Sequence, residues 1–459
     1  MCLYLNIGRI IKMKQMKQIL IIGNGFDLEC GLESTFKNFF NWRFNTVYKQ
    51  YIQYNRDYNR DYISRYNSIN WEDGLHGFEK LNSEKALVEL IEKSLDGRLL
   101  NELDIPFWDC VFILAKFYLS KTQLNQWCDV ENIIYNVITF AFEGKYRFKD
   151  FKTNLRFSEA QEKWDYLRSK NGPVQPLITK SFIRSRCKAT FKNDIKLLSK
   201  QSGTSRLKKT EYLLTQLYEF EDRFADFINH QMHRKKVAYE SAAKKLIYCL
   251  TSIPYGNLDV LSFNYSLDRS FANSLFSNDA DIYLGSWCNI HGVANKFESE
   301  FPNKNHKNHW RPIFGIDNHD ISDKKTSEDP RIMFTKSYRL LDNNIFSLTS
   351  SEHASYSETD LITVYGHSLN RADYSYFETI FDENDLYNSK TKLQVYYNGK
   401  ENDIEEKHNC ITNVVNLLNN YGQTLGDTHG ENIVNKMILE NRLEVLPNEK
   451  LKKIKAYFE

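Results

Sequence analysis

The chain has 459 residues, 41% hydrophobic and 26% charged, which is apolar enough to fold and too long for one typical core. Its 61 basic and 59 acidic residues leave a formal net charge of +2, which excludes the strongly basic surface of a dedicated nucleic-acid binder but not a local basic groove. Its 8 cysteines are scattered with no Cys-x-x-Cys pair, which speaks against a zinc ribbon or a disulfide framework and for reduced thiols in the cytoplasm.

The start, Met1-Cys2-Leu3-Tyr4-Leu5, is too short an apolar stretch for a signal peptide, and its basic residues follow it; Met13 or Met16 is an alternative start. No apolar run reaches the ~18–20 residues that cross a bilayer, so no membrane partner is expected. Gln18-Ile19-Leu20-Ile21-Ile22 is a short, continuous apolar run ended by Gly-Asn-Gly. That is how a strand buried on both faces reads before a tight turn into a helix. The helix is expected over Ser34–Tyr51, where Phe36, Phe39, Phe40 and Phe44 recur at helical spacing.

From 55 to 254 the chain reads as helical, with periodic segments at Ala86–Leu100, Phe107–Leu119, Val130–Phe142 and Thr210–Thr251. Lys188, Lys192, Lys196 and Lys200 form a row best read as a solvated helix face. Strand signals return at Leu258–Phe263, Asp281–Leu284, Pro312–Phe314, Ile332–Phe334, Leu361–Tyr365 and Leu393–Tyr397. Most are followed by turn residues or helical pattern, the rhythm of a crossover-connected parallel sheet. The expected fold class is therefore α/β: a parallel sheet flanked by helices, built from 17–54 and 255–400. A large helical insertion spans 55–254, and C-terminal helices from 401–459 pack on the core.

Five short motifs sit at expected strand ends: Gly23-Asn24-Gly25-Phe26-Asp27, Phe263-Asn264-Tyr265-Ser266, Ile290-His291-Gly292, Phe314-Gly315-Ile316-Asp317, and Gly366-His367-Ser368-Leu369 with Asp373. In a parallel sheet all carboxyl ends lie on one edge, so these motifs are expected to converge there, where ligands bind. Gly23 and Gly25 allow close backbone approach to a phosphate or simply make a strand-to-helix turn. The third glycine of the dinucleotide fingerprint and the Walker lysine are both absent. Asp27 suits a ribose hydroxyl better than a phosphate. Asn264 offers both donor and acceptor, for a water or ribose hydroxyl, or else Ser266 and Asp268 share with it a plain helix-capping role. His291 is the candidate general base and His367 a pocket wall or hydrogen-bond partner.

Together these residues resemble the AbiH family of phage abortive-infection proteins. The resemblance rests on Ile22–Leu28 with Gly31-Leu32 and Thr35-Phe36-Lys37, then Phe263-Asn264-Tyr265, Ile290-His291-Gly292, Phe314–Asp317, Phe334-Thr335-Lys336 and Gly366–Leu369 with Asp373. Trp127-Cys128-Asp129-Val130-Glu131, Tyr421–Thr424 and Glu440-Asn441-Arg442 fit as well. A looser order of motifs is similar to the sirtuin-like, Rossmann-like NAD-binding fold and its NADase members. That resemblance implies an NAD+ glycohydrolase that needs no cofactor or metal and takes NAD+ as substrate or ligand. Gly23, Asn24, Gly25, Phe26 and Asp27 would meet the dinucleotide, with Lys37 in place of a loop arginine. Asn264 would face the nicotinamide ribose, His291 would be the catalytic base, and Gly366, His367, Ser368 and Leu369 with Asp373 would line the ribose site. The stretch 292–330 contains no cysteine, so the zinc module of sirtuin deacylases is missing and protein deacylation is not implied.

A phage-derived trigger is the expected protein partner, and the oligomeric state stays open. Two rivals remain. One is a metal-dependent nuclease or nucleotidase toxin using Asp27, Asp129, Glu131, His291 and Asp373. The other is a non-catalytic nucleotide-sensing module. His306, His309 and His319 are read as exposed loop residues rather than a zinc site.

Overall fold

The computed structural model describes residues 16–43, 106–118, 130–135, 137–138, 203–251, 256–276, 283–294, 311–321, 329–342, 356–369, 373–400, 402–426 and 429–451. Strand β1 (Lys17–Ile22) carries the apolar run of the N-terminal motif, and Ile19 through Ile22 are fully buried. Its alternate residues point to opposite faces. Ile19 and Ile21 pack with helices α6 (Tyr374–Glu383), α7 (Ile404–Thr424) and α8 (Ile433–Leu439). Leu20 and Ile22 pack with α3 (Gly203–Leu250) and α4 (Arg269–Phe276). Helices on both sides explain why this strand shows no polar alternation.

Six strands form one sheet: β1, β2 (Asn257–Ser262), β3 (Tyr283–Asn289), β4 (Leu361–Tyr365), β5 (Lys392–Tyr397) and β6 (Leu443–Pro447). Their order is β3-β2-β1-β4-β5-β6, and every pairing is parallel. The chain thus builds outward from β1 in one direction, then restarts on its other side with β4. The crossovers that leave β1 and β4 pack on opposite faces of the sheet, and open parallel sheets place a ligand site near that point, beyond the carboxyl ends of the strands.

A third core roofs this edge. Helix α1 (Asn24–Glu29) is followed by a helical stretch over 36–43, whose Phe36 and Phe39 pack against α2 (Phe107–Tyr118), α3 and Phe314. Phe39 lies 5.5 Å from Phe220 and 5.4 Å from Phe224, edge to face. These aromatic contacts tie the first crossover to the long α3.

Four sequence expectations change. A separate short helix, Asn24–Glu29, precedes the expected one, which among the described residues runs over 36–43. Pro312–Phe314 is extended but joins no strand, because its backbone bonds elsewhere: Ile313 N donates to His291 O at 2.9 Å and Phe314 N to Glu221 Oε1 at 2.7 Å. Ile332–Phe334 lies in a 3₁₀ turn, Pro330–Phe334, where Asp329 accepts from Arg331 N, and helix α5 (Lys336–Asp342) follows it. The Asp-Pro pair is a helix-start signal that the apolar triplet obscured. The C-terminal region is not wholly helical either, since β6 completes the sheet edge. Among the described residues no helix is long and apolar enough to cross a membrane. The expected helix at Ala86–Leu100 and the row Lys188 to Lys200 lie outside the described residues.

Candidate functional site

The loops after β1 and β4 are stitched together. Gly23 N donates to Tyr365 O at 3.0 Å and Gly25 N to Gly366 O at 2.8 Å. A side chain at Gly23 would meet His367 Cα at 2.6 Å, and one at Gly25 would meet Gly366 Cα at 2.7 Å. The glycines therefore serve close approach between two loops. Phe26 N donates to Gly23 O, so the N–H groups of Gly23, Gly25 and Phe26 are directed at protein carbonyls rather than at a phosphate.

Beneath these loops is a cavity of about 290 Å³, walled by residues from the loops that follow β1, β2, β3 and β4: Gly23 to Gly25, Asn264, His291, and Gly366 to Ser368. Asp27, Glu131, Lys336, Asp373 and Tyr265 complete the polar lining. Residues up to ~340 positions apart in sequence thus share one space, as parallel topology requires.

Asp27 is 2% exposed and accepts from Tyr239 OH at 2.6 Å, Asn264 Nδ2 at 3.0 Å and Ser266 Oγ at 2.9 Å. Burial pushes its pKa up to about 7 despite those donors. Asn264 Oδ1 is buried with no hydrogen-bond partner. A buried carboxamide oxygen is normally satisfied, so this acceptor is available to a bound molecule.

Opposite lies a compact ionic cluster. Lys336 Nζ sits 2.8 Å from Glu131 Oε1 and 2.7 Å from Asp373 Oδ1. Burial pulls the lysine pKa down, but the two carboxylates outweigh it and hold it raised. Asp373 is held well below its usual value: burial opposes ionisation, and Lys336, His291 and His367 overcome it. Glu131 rises to about 8 through burial, with Lys336 opposing. His291 falls to about 4, first through burial and then through Lys336. Its Nε2 lies 3.3 Å from Asp373 Oδ1 without the alignment of a hydrogen bond. His367 Nδ1 accepts from Leu369 N at 3.0 Å, which leaves Nε2 as the donor to Asp373 Oδ2 at 3.2 Å.

The family model described as bacteriophage abortive infection AbiH matches residues 19–397, more than half of the chain and all of this cavity's lining. The chain belongs to the AbiH family. Its role is thus phage defence by abortive infection. No curated protein and no solved structure matches the chain.

Of the AbiH residues expected at the site, Gly23, Asn24, Gly25, Asp27, Asn264, His291, Gly366, His367, Ser368 and Asp373 line the cavity together. Three do not. Phe26 is buried in the core against Tyr365, Leu369 is buried beside Phe377, and Lys37 points outward, exposed. Lys37 sits on the solvent side of the helical stretch whose Phe36, Phe39 and Phe40 face the core, which its spacing from those residues already implied. Asp268 caps α4 through Phe271 N, at 3.1 Å, while Ser266 turns instead to Asp27. Asp129, His306 and His309 lie outside the described residues, as does the side chain of His319.

Sequence reasoning gave no role to Lys336 or Tyr239. Lys336 did sit in a recognised motif, Phe334-Thr335-Lys336; Tyr239 lay in a helical pattern with no signal that its hydroxyl reaches a carboxylate 212 residues away.

Proposed function

We propose that this AbiH chain hydrolyses the nicotinamide–ribose bond of NAD+ or a closely related dinucleotide. The observation that carries this reading is the pairing, in one cavity, of the unpartnered Asn264 Oδ1 with His291, beneath the joined β1 and β4 loops. The strand order matches that of Rossmann-type dinucleotide folds, which bind at this crevice.

Nicotinamide leaves a cationic precursor as a neutral molecule, so its departure needs no strong acid. Positioning and electrostatics then dominate. Asn264 Oδ1 accepts from the attacking water or a ribose hydroxyl. His291, neutral at pH 7 because its pKa is about 4, is a hydrogen-bond acceptor rather than an efficient general base. The ionised Asp373 offsets charge that develops on the ribose, while Lys336 fixes its position.

The metal-dependent alternative fits the residues less well. The Lys336 ammonium occupies the space between Glu131 and Asp373 that a divalent ion would need. Among the described residues no group of three His, Cys, Asp or Glu side chains is placed to hold a metal. Mass spectrometry of nucleotides after induction tests the proposal. The expected result is loss of NAD+ and rise of nicotinamide with wild type, but not with Asn264→Ala or His291→Ala. An unchanged NAD+ pool during wild-type phage protection sinks it, and protection that survives both substitutions favours a non-catalytic sensor.

A further inference from the structure

Asn264 is anchored by its backbone: its N–H donates to Ser262 Oγ at 3.2 Å and its carbonyl accepts from Asn289 Nδ2 at 3.3 Å. Rotation of its amide by half a turn would still swap donor for acceptor at the cavity wall. The partner that decides between the two is Asp27 Oδ1, 3.0 Å from Nδ2.

Asp27 itself belongs to a closed ring. Its Oδ1 is 2.6 Å from Tyr239 OH, Tyr239 OH is 2.8 Å from Ser266 Oγ, and Ser266 Oγ is 2.9 Å from Oδ2. Counting protons around the ring shows what it does. With Asp27 ionised, the Tyr239 and Ser266 hydroxyls both donate to it. With Asp27 protonated, the ring can run in either direction. A proton on Oδ2 donates to Ser266, which donates to Tyr239, which donates to Oδ1, and Oδ1 stays bare to accept from both Tyr239 and Asn264. The reverse direction sets the Asn264 NH2 against a hydroxyl oxygen, the weaker acceptor, so the first is favoured.

We propose that Asp27 is a positioning residue: with Tyr239 and Ser266 it holds the Asn264 amide so that Oδ1, not NH2, faces the cavity. This rests on the reading of Asn264 as the group that orients water or a ribose hydroxyl. Tyr239 comes from α3, so the long helix both lines the cavity, through Phe224 and Ile228, and supports Asp27 from behind it.

The test is an exchange. Asn264→Asp and Asp27→Leu each destroy the donor–acceptor match, whereas Asp27→Asn keeps it, its NH2 standing in for the proton on Oδ2 and its oxygen still accepting from Asn264. The double variant Asp27→Asn/Asn264→Asp turns the new NH2 toward the new carboxylate and keeps an oxygen facing the cavity. Nicotinamide release by the purified full chain should fall about 100-fold in Asn264→Asp and in Asp27→Leu, and less than about tenfold in Asp27→Asn. The exchange should regain about tenfold or more of the Asn264→Asp loss. In Tyr239→Phe the ring is open, a proton can settle on Oδ1, and activity should fall on the acid side at a higher pH than in wild type.

Recovery in the exchange together with the shifted acid limb supports the positioning role. An exchange variant that unfolds as cooperatively as wild type yet stays as inactive as Asn264→Asp overturns it, and leaves the NAD+ reading intact. If wild type does not release nicotinamide, the NAD+ reading fails instead. The same proteins scored for phage protection then decide the positioning by the same pattern of loss and recovery.

Discussion

Gly25 donates its backbone N–H to Gly366 O at 2.8 Å, and this contact joins the loops on either side of the sheet's switch point. Gly366 has φ +67°, and a side chain there would collide with the Phe26 backbone N. Gly366→Ala should therefore cost about 1–3 kcal/mol for overpacking and a similar amount for left-handed strain. Gly25→Ala meets the Gly366 backbone at a longer 2.7 Å and without the φ penalty, so its loss should be smaller. Urea unfolding of both variants checks the order; equal losses would show that the strain at Gly366 is not felt.

Asp27 gives the protein a distinctive pH response. Its pKa of about 7, against 3.8 unperturbed, is raised by burial. Between these values the folded chain keeps a proton that the unfolded chain releases. Stability from this group is thus whole below pH 3.8 and lost as pH rises toward 7, by on the order of 4 kcal/mol at most. Asp27→Asn cannot titrate, so its stability relative to wild type should improve as pH rises through that window. His291 responds in the opposite sense, its folded pKa being lowered, but it contributes to both proteins and cancels in the comparison. Parallel unfolding curves at pH 5 and pH 7.5 measure the difference.

Much of this was legible because the physics was local. A continuous Ile19–Ile22 run ended by glycines announces a two-sided strand, and parallel pairing then puts every strand-end motif on one edge. The cavity's Asn264 and His291 followed from that rule. What was hidden depends on distant partners. Glu131 and Tyr239 sit in amphipathic helices where a polar residue usually faces water, and nothing in their neighbourhood marks Lys336 or Asp27 as partners. Strand β6 was missed because five residues, Leu443–Pro447, are too few for alternation to stand out beside α7 and α8. Pro312–Phe314 was overread for the converse reason: an apolar, extended segment looks like a strand whether its N–H groups meet a neighbouring strand or the Glu221 carboxylate.

The ionic cluster predicts an asymmetric pair of variants. Lys336→Met removes the cation from between Glu131 and Asp373 and leaves both carboxyls buried against each other, at a cost of about 3–5 kcal/mol. Glu131→Gln keeps the Lys336–Asp373 contact and shape, so its cost should be nearer 1 kcal/mol. Lys336 also lowers the His291 pKa, so in Lys336→Met it should climb from about 4, while burial keeps it under the free value of 6.5. NMR titration of the imidazole reads this directly. A His291 midpoint that does not move would show that the ammonium does not act on the ring.

The last prediction concerns how α3 is keyed to the far side of the cavity. Glu221, fully buried on α3, forms a double contact with Arg339, including Nη2 to Oε2 at 2.7 Å, and accepts from Phe314 N at 2.7 Å. Arg339 Nη1 also donates to Phe314 O at 2.6 Å. The pair thus clamps the Phe314–Asp317 loop, whose Asp317 in turn accepts from Ser375 Oγ at 2.7 Å beside Asp373. Arg339→Met strands the Glu221 charge and should cost about 3–5 kcal/mol, whereas Glu221→Met/Arg339→Met removes both charges together. The double variant should recover most of the stability, minus the loss of the Phe314 hydrogen bonds, on the order of 1 kcal/mol each. A double-mutant cycle by urea unfolding measures the coupling. A double variant as unstable as Arg339→Met would mean that the loop, rather than the stranded charge, sets the cost. The clamp would then be the chief link between α3 and the cavity wall.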